Sequence, residues 1–410
     1  MYIKELTINE FTNYQKSHSL SSYHQTINYG ILMAENTHDY DLIGYVDDNN
    51  TIYGASLIII KKIGKYLYGY APKGFLIDYS NEYLLKKFTE DIKNYYKRKG
   101  LVFIKINPEI AIGEINTKTF QVTYNQNNNI TNILINCGYK KLKDNLYFES
   151  MLPRFNGFIK TKDFNINNID KNTKNKIKKA IRKGLVFEKA EKKDLDIFYN
   201  FIKHKKEKSI NEYKDFYTVF EKDNAVDLFL VKIDYNRFLI NSQQAYEEEL
   251  VKNNYYNELL IKSNNPKLIN KKMNSDKTLL SYKNDILEAT KGLQENINQY
   301  IAGALVVKHN NKASIVMSGY DQAFKRFAPN YFLHYSIINY YLNTYDYIDL
   351  NGMTGDFTDN NPYNGLNRFK LGFNPKVYEF IGEFDLIIDE LLYKTLLKSG
   401  FLAKEFNKTK

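Results

Sequence analysis

Between Asp349 and Asp385 the chain carries Asp356 in a glycine-rich turn and a lone lysine, Lys370, directly after an aromatic residue, Phe369. A carboxylate can take up a proton, and a lysine between Phe369 and Leu371 can hold a cation where negative charge develops. The segment, DLNGMTGDFTDNNPYNGLNRFKLGFNPKVYEFIGEFD, holds five of the chain's 20 glycines. Glycines at that density mark backbone that turns sharply or approaches something closely. It reads as a strand end, a turn with Gly352 and Gly355, a loop with Pro362 and Gly365, a short basic segment, and one strand, VYEFIGEF. On composition alone it fits equally a hairpin-rich sheet edge with Lys370 as a solvated surface charge.

The elements that must position these residues recur. YGASLIII (53–60) and YLYGYAP (66–72) read as neighbouring strands; a helix at EYLLKKFTEDIKNYYKRKG stops at Gly100, and LVFIKINP follows as a buried-type strand. Later, IAGALVVKHN (301–310), IVMSGY (315–320), the helix YFLHYSIINYYL and the strand YIDLNG repeat that order. Strand, helix and strand in this order imply mixed α/β sheets. The expected organisation is a first domain over 1–150, a second over 151–240 and 301–385, and an insertion at 241–300.

Two features lie between the copies. KNTKNKIKKAIRK (171–183) has seven Lys or Arg and no acid, with Ile177, Ala180 and Ile181 on one helical face. It is either a solvated face with snorkelling stems or a phosphate-binding surface. The insertion reads as an antiparallel helical hairpin spaced by Leu250, Tyr256, Leu259, Leu260, Leu268, Ile269, Met273, Leu280, Ile286, Leu287, Leu293 and Ile297. Its charges balance, eight acidic against eight basic, while Lys262, Lys267, Lys271, Lys272 and Lys277 gather near the turn. A neutral shaft with a basic tip suits an arm reaching to RNA; packing or dimerisation is the alternative.

Composition narrows the classes further. The 43% hydrophobic content over 410 residues can bury real cores. One cysteine, Cys137, excludes an internal disulfide framework and fits a reducing cytoplasm. Six scattered histidines give no metal-ligand spacing, so no metal is expected. No apolar run approaches the ~20 residues of a spanning helix, and no signal-peptide core opens the chain, so a cytoplasmic protein is expected. The net charge of +11 makes contact with a polyanion plausible, whether RNA, DNA or an anionic membrane.

GMTGDF followed by FKLGFNPKVYEFIGEFD resembles the C-terminal signature of the Fem family, transferases that build peptidoglycan interpeptide bridges from aminoacyl-tRNA. YAPKGFLIDY, FIKINP and LPRF (152–155) resemble further family motifs, and some members carry a hairpin similar to the tRNA-contacting arm of seryl-tRNA synthetase. The resemblance implies two tandem acetyltransferase-like (GNAT-like) domains with a helical arm in the second, the C-terminal helix (386–410) packing back on the first. The reaction implied is transfer of an amino acid from aminoacyl-tRNA to the stem-peptide amine of lipid II or UDP-MurNAc-pentapeptide, with no cofactor and no DNA partner, at the inner face of the membrane.

Implied catalytic residues are Lys370, for charge stabilisation, and Asp356, which with a water or the substrate's own phosphates is a candidate to take the amine proton. Implied substrate contacts are Lys73, Lys105, Asn107, Tyr217, Tyr320, Tyr331, Tyr363 and Phe369. tRNA contacts are expected from Lys176, Lys179, Arg182 and Lys183 on the basic helix and Lys267, Lys271 and Lys272 on the arm. The chain departs from the family pattern where Asn107 replaces an Asp before Pro108, Tyr29 a Trp, Met33 a lysine and Tyr213 an arginine. In relatives using the nucleotide-linked precursor that lysine and arginine bind its diphosphate, so their loss favours lipid II. Two other classes stay open: a coenzyme A-dependent N-acyltransferase, disfavoured by the missing Gly-rich pyrophosphate loop, and a non-catalytic tRNA-binding protein.

Overall fold

A computed structural model describes residues 1–35, 39–205, 208–263 and 265–406. It contains two mixed sheets with helices packed on them. In the first sheet the strand order is Tyr2–Glu5, Asp39–Val46, Ile52–Ile63, Tyr66–Ala71, Leu101–Ile106, Phe384–Ile387 and Tyr139–Lys141, with Leu76–Ile77 paired beside Ile52–Ile63. In the second it is Leu185–Ala190, Val226–Ile233, Gln299–His309, Lys312–Tyr320, Tyr347–Met353, Phe155–Lys160, Lys376–Phe380, Ala111–Ile115 and Val122–Tyr124. Each sheet repeats one unit: an antiparallel pair, a helix (Glu82–Arg98 or Pro329–Tyr341), then a strand parallel to the second of the pair.

The sheets do not follow the expected boundaries at 150 and 385. Ala111–Ile115 and Val122–Tyr124 join the second sheet through Lys376–Phe380, while Phe384–Ile387 crosses to the first and lies between Leu101–Ile106 and Tyr139–Lys141. VYEFIGEF is therefore two strands rather than one. The chain passes between sheets at Ile381–Glu383, where Gly382 takes a φ of +84°, a left-handed conformation that glycine adopts without a Cβ clash. The exchange ties each sheet to both halves of the sequence. Behind the first sheet, Tyr393 and Leu396 of the helix Glu390–Lys398 and Leu402 of Phe401–Phe406 pack with Tyr68, Tyr70 and Phe103.

Two long helices, Tyr235–Lys262 and Pro266–Gln294, lie along each other. The buried and half-buried positions of the second include Ser275, Leu279, Tyr282, Ile286 and Ala289, an alternating four–three spacing that marks the seam. Opposite, Asn253 donates to Ser275 Oγ (3.1 Å) and to Asp276 Oδ1 (2.8 Å). Several apolar residues expected to join the helices instead face outward, among them Leu250, Met273, Leu280 and Leu287. The seam is partly polar, so apolar residues alone point to the wrong faces.

Candidate active site

The parallel strands Lys312–Tyr320 and Tyr347–Met353 pair only over Lys312–Ser314 with Tyr347–Asp349. Beyond that they open, and Asn351, at φ +66°, spans the gap with its amide 3.3 Å from the carbonyls of Ile315 and Val316. A cavity of about 560 Å³ begins at this opening and runs between the two halves of the molecule. Its lining includes five lysines, Lys73, Lys205, Lys208, Lys312 and Lys370, against two acids, Glu109 and Asp349. Such an excess of cations around an enclosed space favours an anionic ligand.

Lys370 belongs to a helix, Asn364–Leu371, where a loop and short basic segment were expected. The first turn of the basic helix Lys171–Arg182 meets the end of this helix: a Cβ at Gly372 would stand 2.2 Å from Thr173 Oγ1, a close approach that glycine leaves open. Lys370 is 7% exposed, and its Nζ donates to the carbonyl of Gly352 at 2.6 Å. Burial lowers its pKa to about 7, with Asp349 opposing the shift and Lys205 adding to it. Rather than a cation at the mouth of the domain, this is a buried amine that exchanges its proton near neutrality. His334 beside it is held neutral by burial, its pKa lowered to about 4, and its ring stands edge-on to Phe369 at 4.8 Å.

Burial raises the carboxyl of Asp349, although Lys312 draws it down. Its Oδ1 accepts from the Asn351 N–H at 2.7 Å and from Asn156 at 3.3 Å. Glu109 accepts from Lys312; burial alone would raise its carboxyl, but Lys312 and Lys73 together hold it below the usual range. Burial depresses the Lys73 ammonium. Lys73 itself is placed by a left-handed turn, φ +54°, whose N–H donates to Asn107 Oδ1 at 2.9 Å. Asn107 is thus spent on backbone geometry.

Of the residues expected at the site, Lys73, Phe369 and Lys370 line the cavity. Asn107 lies in a small adjoining space with Glu149 and Arg154. Asp356 lies outside the cavity lining: its carboxylate accepts from the Thr358 N–H (2.9 Å) and Tyr147 (3.1 Å), contacts that hold it below the usual carboxylate range. Lys105 is sealed in the first sheet with Asp385 at 2.9 Å. Tyr217 is buried in an apolar cluster, one position from the cavity-lining Phe216, and Tyr320 packs against the apolar core of the second sheet. Tyr331 touches the site through Phe369, ring centroids 4.9 Å apart, and Tyr363 through Phe148 at the same distance. Met33 and Tyr213 both line the cavity, which stays cationic without the lysine and arginine of the family pattern.

The expected RNA contacts divide similarly. Lys179 is exposed, and Lys176 reaches Tyr331 (2.7 Å), placing part of the basic face next to the cavity wall. Arg182 lies over the Tyr282 ring at 4.7 Å. Lys183 is buried and paired with Asp285 of the long helix, so it fastens the hairpin and leaves the phosphate-binding set. Lys267 and Lys271 are exposed, whereas Lys272 is bonded to Asp276 at 2.5 Å. The sequence reading missed Glu109, Lys312 and Asp349. Glu109 follows the Asn-Pro pair already noted, Asp349 sits in the YIDLNG strand, and Lys312 opens the strand equivalent to Tyr66–Ala71; only their convergence across two sheets marks them.

The model of the FemAB family matches residues 6–398. The chain is 25% identical over 407 residues to Aminoacyltransferase FemA of Staphylococcus aureus, covering 96% of this chain and 97% of the relative. It is 26% identical over 371 residues to the Lipid II:glycine glycyltransferase of Staphylococcus epidermidis, covering 86% and 85% respectively. Its fold matches the crystal structure of FemX with a TM-score of 0.74 at 21% identity, over 97% of this chain and 100% of that one. With the C-terminal signature and a family match spanning nearly the whole length, the chain belongs to the FemAB family.

Proposed function

We propose that this protein transfers an amino acid from aminoacyl-tRNA to an amine of the peptidoglycan stem peptide, carried on lipid II or a partly built bridge. The observation carrying this reading is the buried Lys370 in a cation-rich cavity, with the basic helix reaching the cavity wall through Lys176 and Tyr331. Phosphates of the acceptor fit the lysines of the cavity, and the RNA backbone fits the exposed cations of the basic helix. Tandem acetyltransferase-like domains are part of the same reading, supported by the repeated strand–helix–strand unit.

The donor ester is already activated, so holding it against the amine supplies much of the rate. The acceptor nitrogen bonds to the ester carbonyl carbon, the carbon–ribose oxygen bond breaks, and the products are an amide and a free ribose hydroxyl. Lys370 in its protonated form meets the oxyanion and gives a proton to the departing ribose oxygen. Asp349, which lines the cavity, takes the proton of the attacking amine in this reading, in place of Asp356, which does not line it. The reaction is tested by incubating the protein with lipid II and a full set of charged tRNAs and identifying the product by mass. A lipid II increased by one aminoacyl unit is expected. No added aminoacyl unit with any charged tRNA, on lipid II or on lipid II already carrying one or more bridge residues, would overturn the reading.

A further inference from the structure

The hairpin is neutral overall, yet its charge is strongly divided along its length. Residues 259–283 carry six lysines and one acid, Asp276, while 241–258 and 284–300 together carry seven acids and two lysines. The acidic end is fastened to the body: Asp285 pairs with Lys183, Glu288 with Arg326, and Asn241 reaches the Ile181 carbonyl at 3.2 Å. From residue 242 to 281 the side-chain hydrogen bonds and ion pairs of the described residues stay within the two helices. At 1.5 Å per residue, the second helix continues about 24 Å beyond Tyr282.

This basic end also exposes apolar side chains. Ile261 is 85% exposed, Leu280 61%, Met273 52% and Ile269 38%. Ile269, Met273 and Leu280 fall at i, i+4 and i+11, one face of the helix, with Asp276 at i+7 between them paired to Lys272. Because the seam is satisfied by Asn253 and Ser275, these residues are not used to join the helices. RNA would neutralise the lysines and leave the apolar face uncovered. A second copy of the same surface would bring together two strongly positive ends. A bilayer containing anionic phospholipid accommodates both, with lysines at the headgroups and apolar side chains at the acyl boundary. No helix of the described residues is long and apolar enough to cross a membrane, so the contact is with the surface.

We infer that the outer ends of the two long helices dock the protein on an anionic lipid bilayer, replacing the RNA contact expected for their lysines. The inference stands apart from the assigned reaction, because it is read without either substrate. The test is co-sedimentation of the full chain with vesicles of phosphatidylglycerol and phosphatidylcholine, against phosphatidylcholine alone. Binding to the mixed vesicles only is expected. Met273→Ser with Leu280→Ser should weaken it about tenfold or more, through lost apolar insertion. Lys267→Glu with Lys271→Glu should weaken it at least as much, about fivefold or more per charge. All four positions are surface-facing, so melting curves should remain those of the parent. Vesicle binding unchanged in the apolar double variant overturns the inference. So does loss of uncharged-tRNA binding in the lysine variant with vesicle binding intact, which would return the tip to RNA.

Discussion

The cavity and the outer half of the hairpin depart from ordinary side-chain placement in opposite directions. In the cavity, Lys73, Lys370 and Asp349 are withdrawn from water at the meeting of two sheets, and burial moves their proton affinities. On the hairpin, Asn253 and Ser275 occupy the interior while Ile261 and Leu280 face out. Burying charge costs stability and exposing apolar surface invites association. The proposed reaction would account for the first departure, and the inferred docking for the second.

The contrast can be broken at the foot of the hairpin, where the largest effect is expected. Lys183→Met leaves Asp285 buried without its cation and should cost ~3 to 5 kcal/mol of stability, read by denaturant unfolding. Next is Lys370→Met, expected to lose ~10² to 10³ in kcat, or ~3 to 4 kcal/mol of transition-state stabilisation. Its melting temperature at neutral pH should be held or raised, because burying the protonated amine is a cost. Since the folded amine binds its proton less tightly than the unfolded one, that cost is complete below about pH 7 and is relieved as pH rises towards 10.5. Stability should therefore rise with pH across that window in the parent and lose this contribution in the variant.

The two aspartates sharpen the assignment within the site. Asp349→Asn should lose roughly 10²-fold in kcat, the scale of a positioned general base. Asp356→Asn should change activity by only about twofold, equivalent to a surface change of ~0.5 kcal/mol. At the small end, Asn253→Leu with Ser275→Leu replaces a polar pair in the seam and should stabilise the long helices by roughly 1 kcal/mol, measured as slower amide exchange there.

Regular elements with strong local patterns were legible in the sequence. Glu82–Arg98 ends before Gly100, whose φ of +76° is the left-handed stop the residue type signals, and the Tyr66–Ala71 and Leu101–Ile106 strands fall where their apolar runs lie. Lys370 was singled out by its surrounding words, and it does line the cavity; its burial was not readable, because the Gly352 carbonyl reaches it through tertiary packing. Strand exchange was equally hidden: Phe384–Ile387 carries no local mark of pairing with a strand some 280 residues earlier. In the basic helix, Thr173 takes the buried position that the apolar pattern assigned to Ile181, which is 49% exposed. Polar residues that find partners inside are what a hydrophobic period cannot see.

In the proposed reaction Lys370 delivers a proton from a site buried enough to place its pKa at about 7. The most direct test is the pH dependence of kcat/KM for acceptor at saturating aminoacyl-tRNA, in the parent and in the Lys370→Met and Lys370→Arg variants. For an acid of the enzyme–aminoacyl-tRNA complex that keeps a pKa of about 7, kcat/KM should be level below that pH and fall about tenfold per unit above it. Both variants should be slow, Arg less so because it stays charged, and neither should show the fall. A parent profile level through the same range, or the same fall retained in Lys370→Met, would contradict the account.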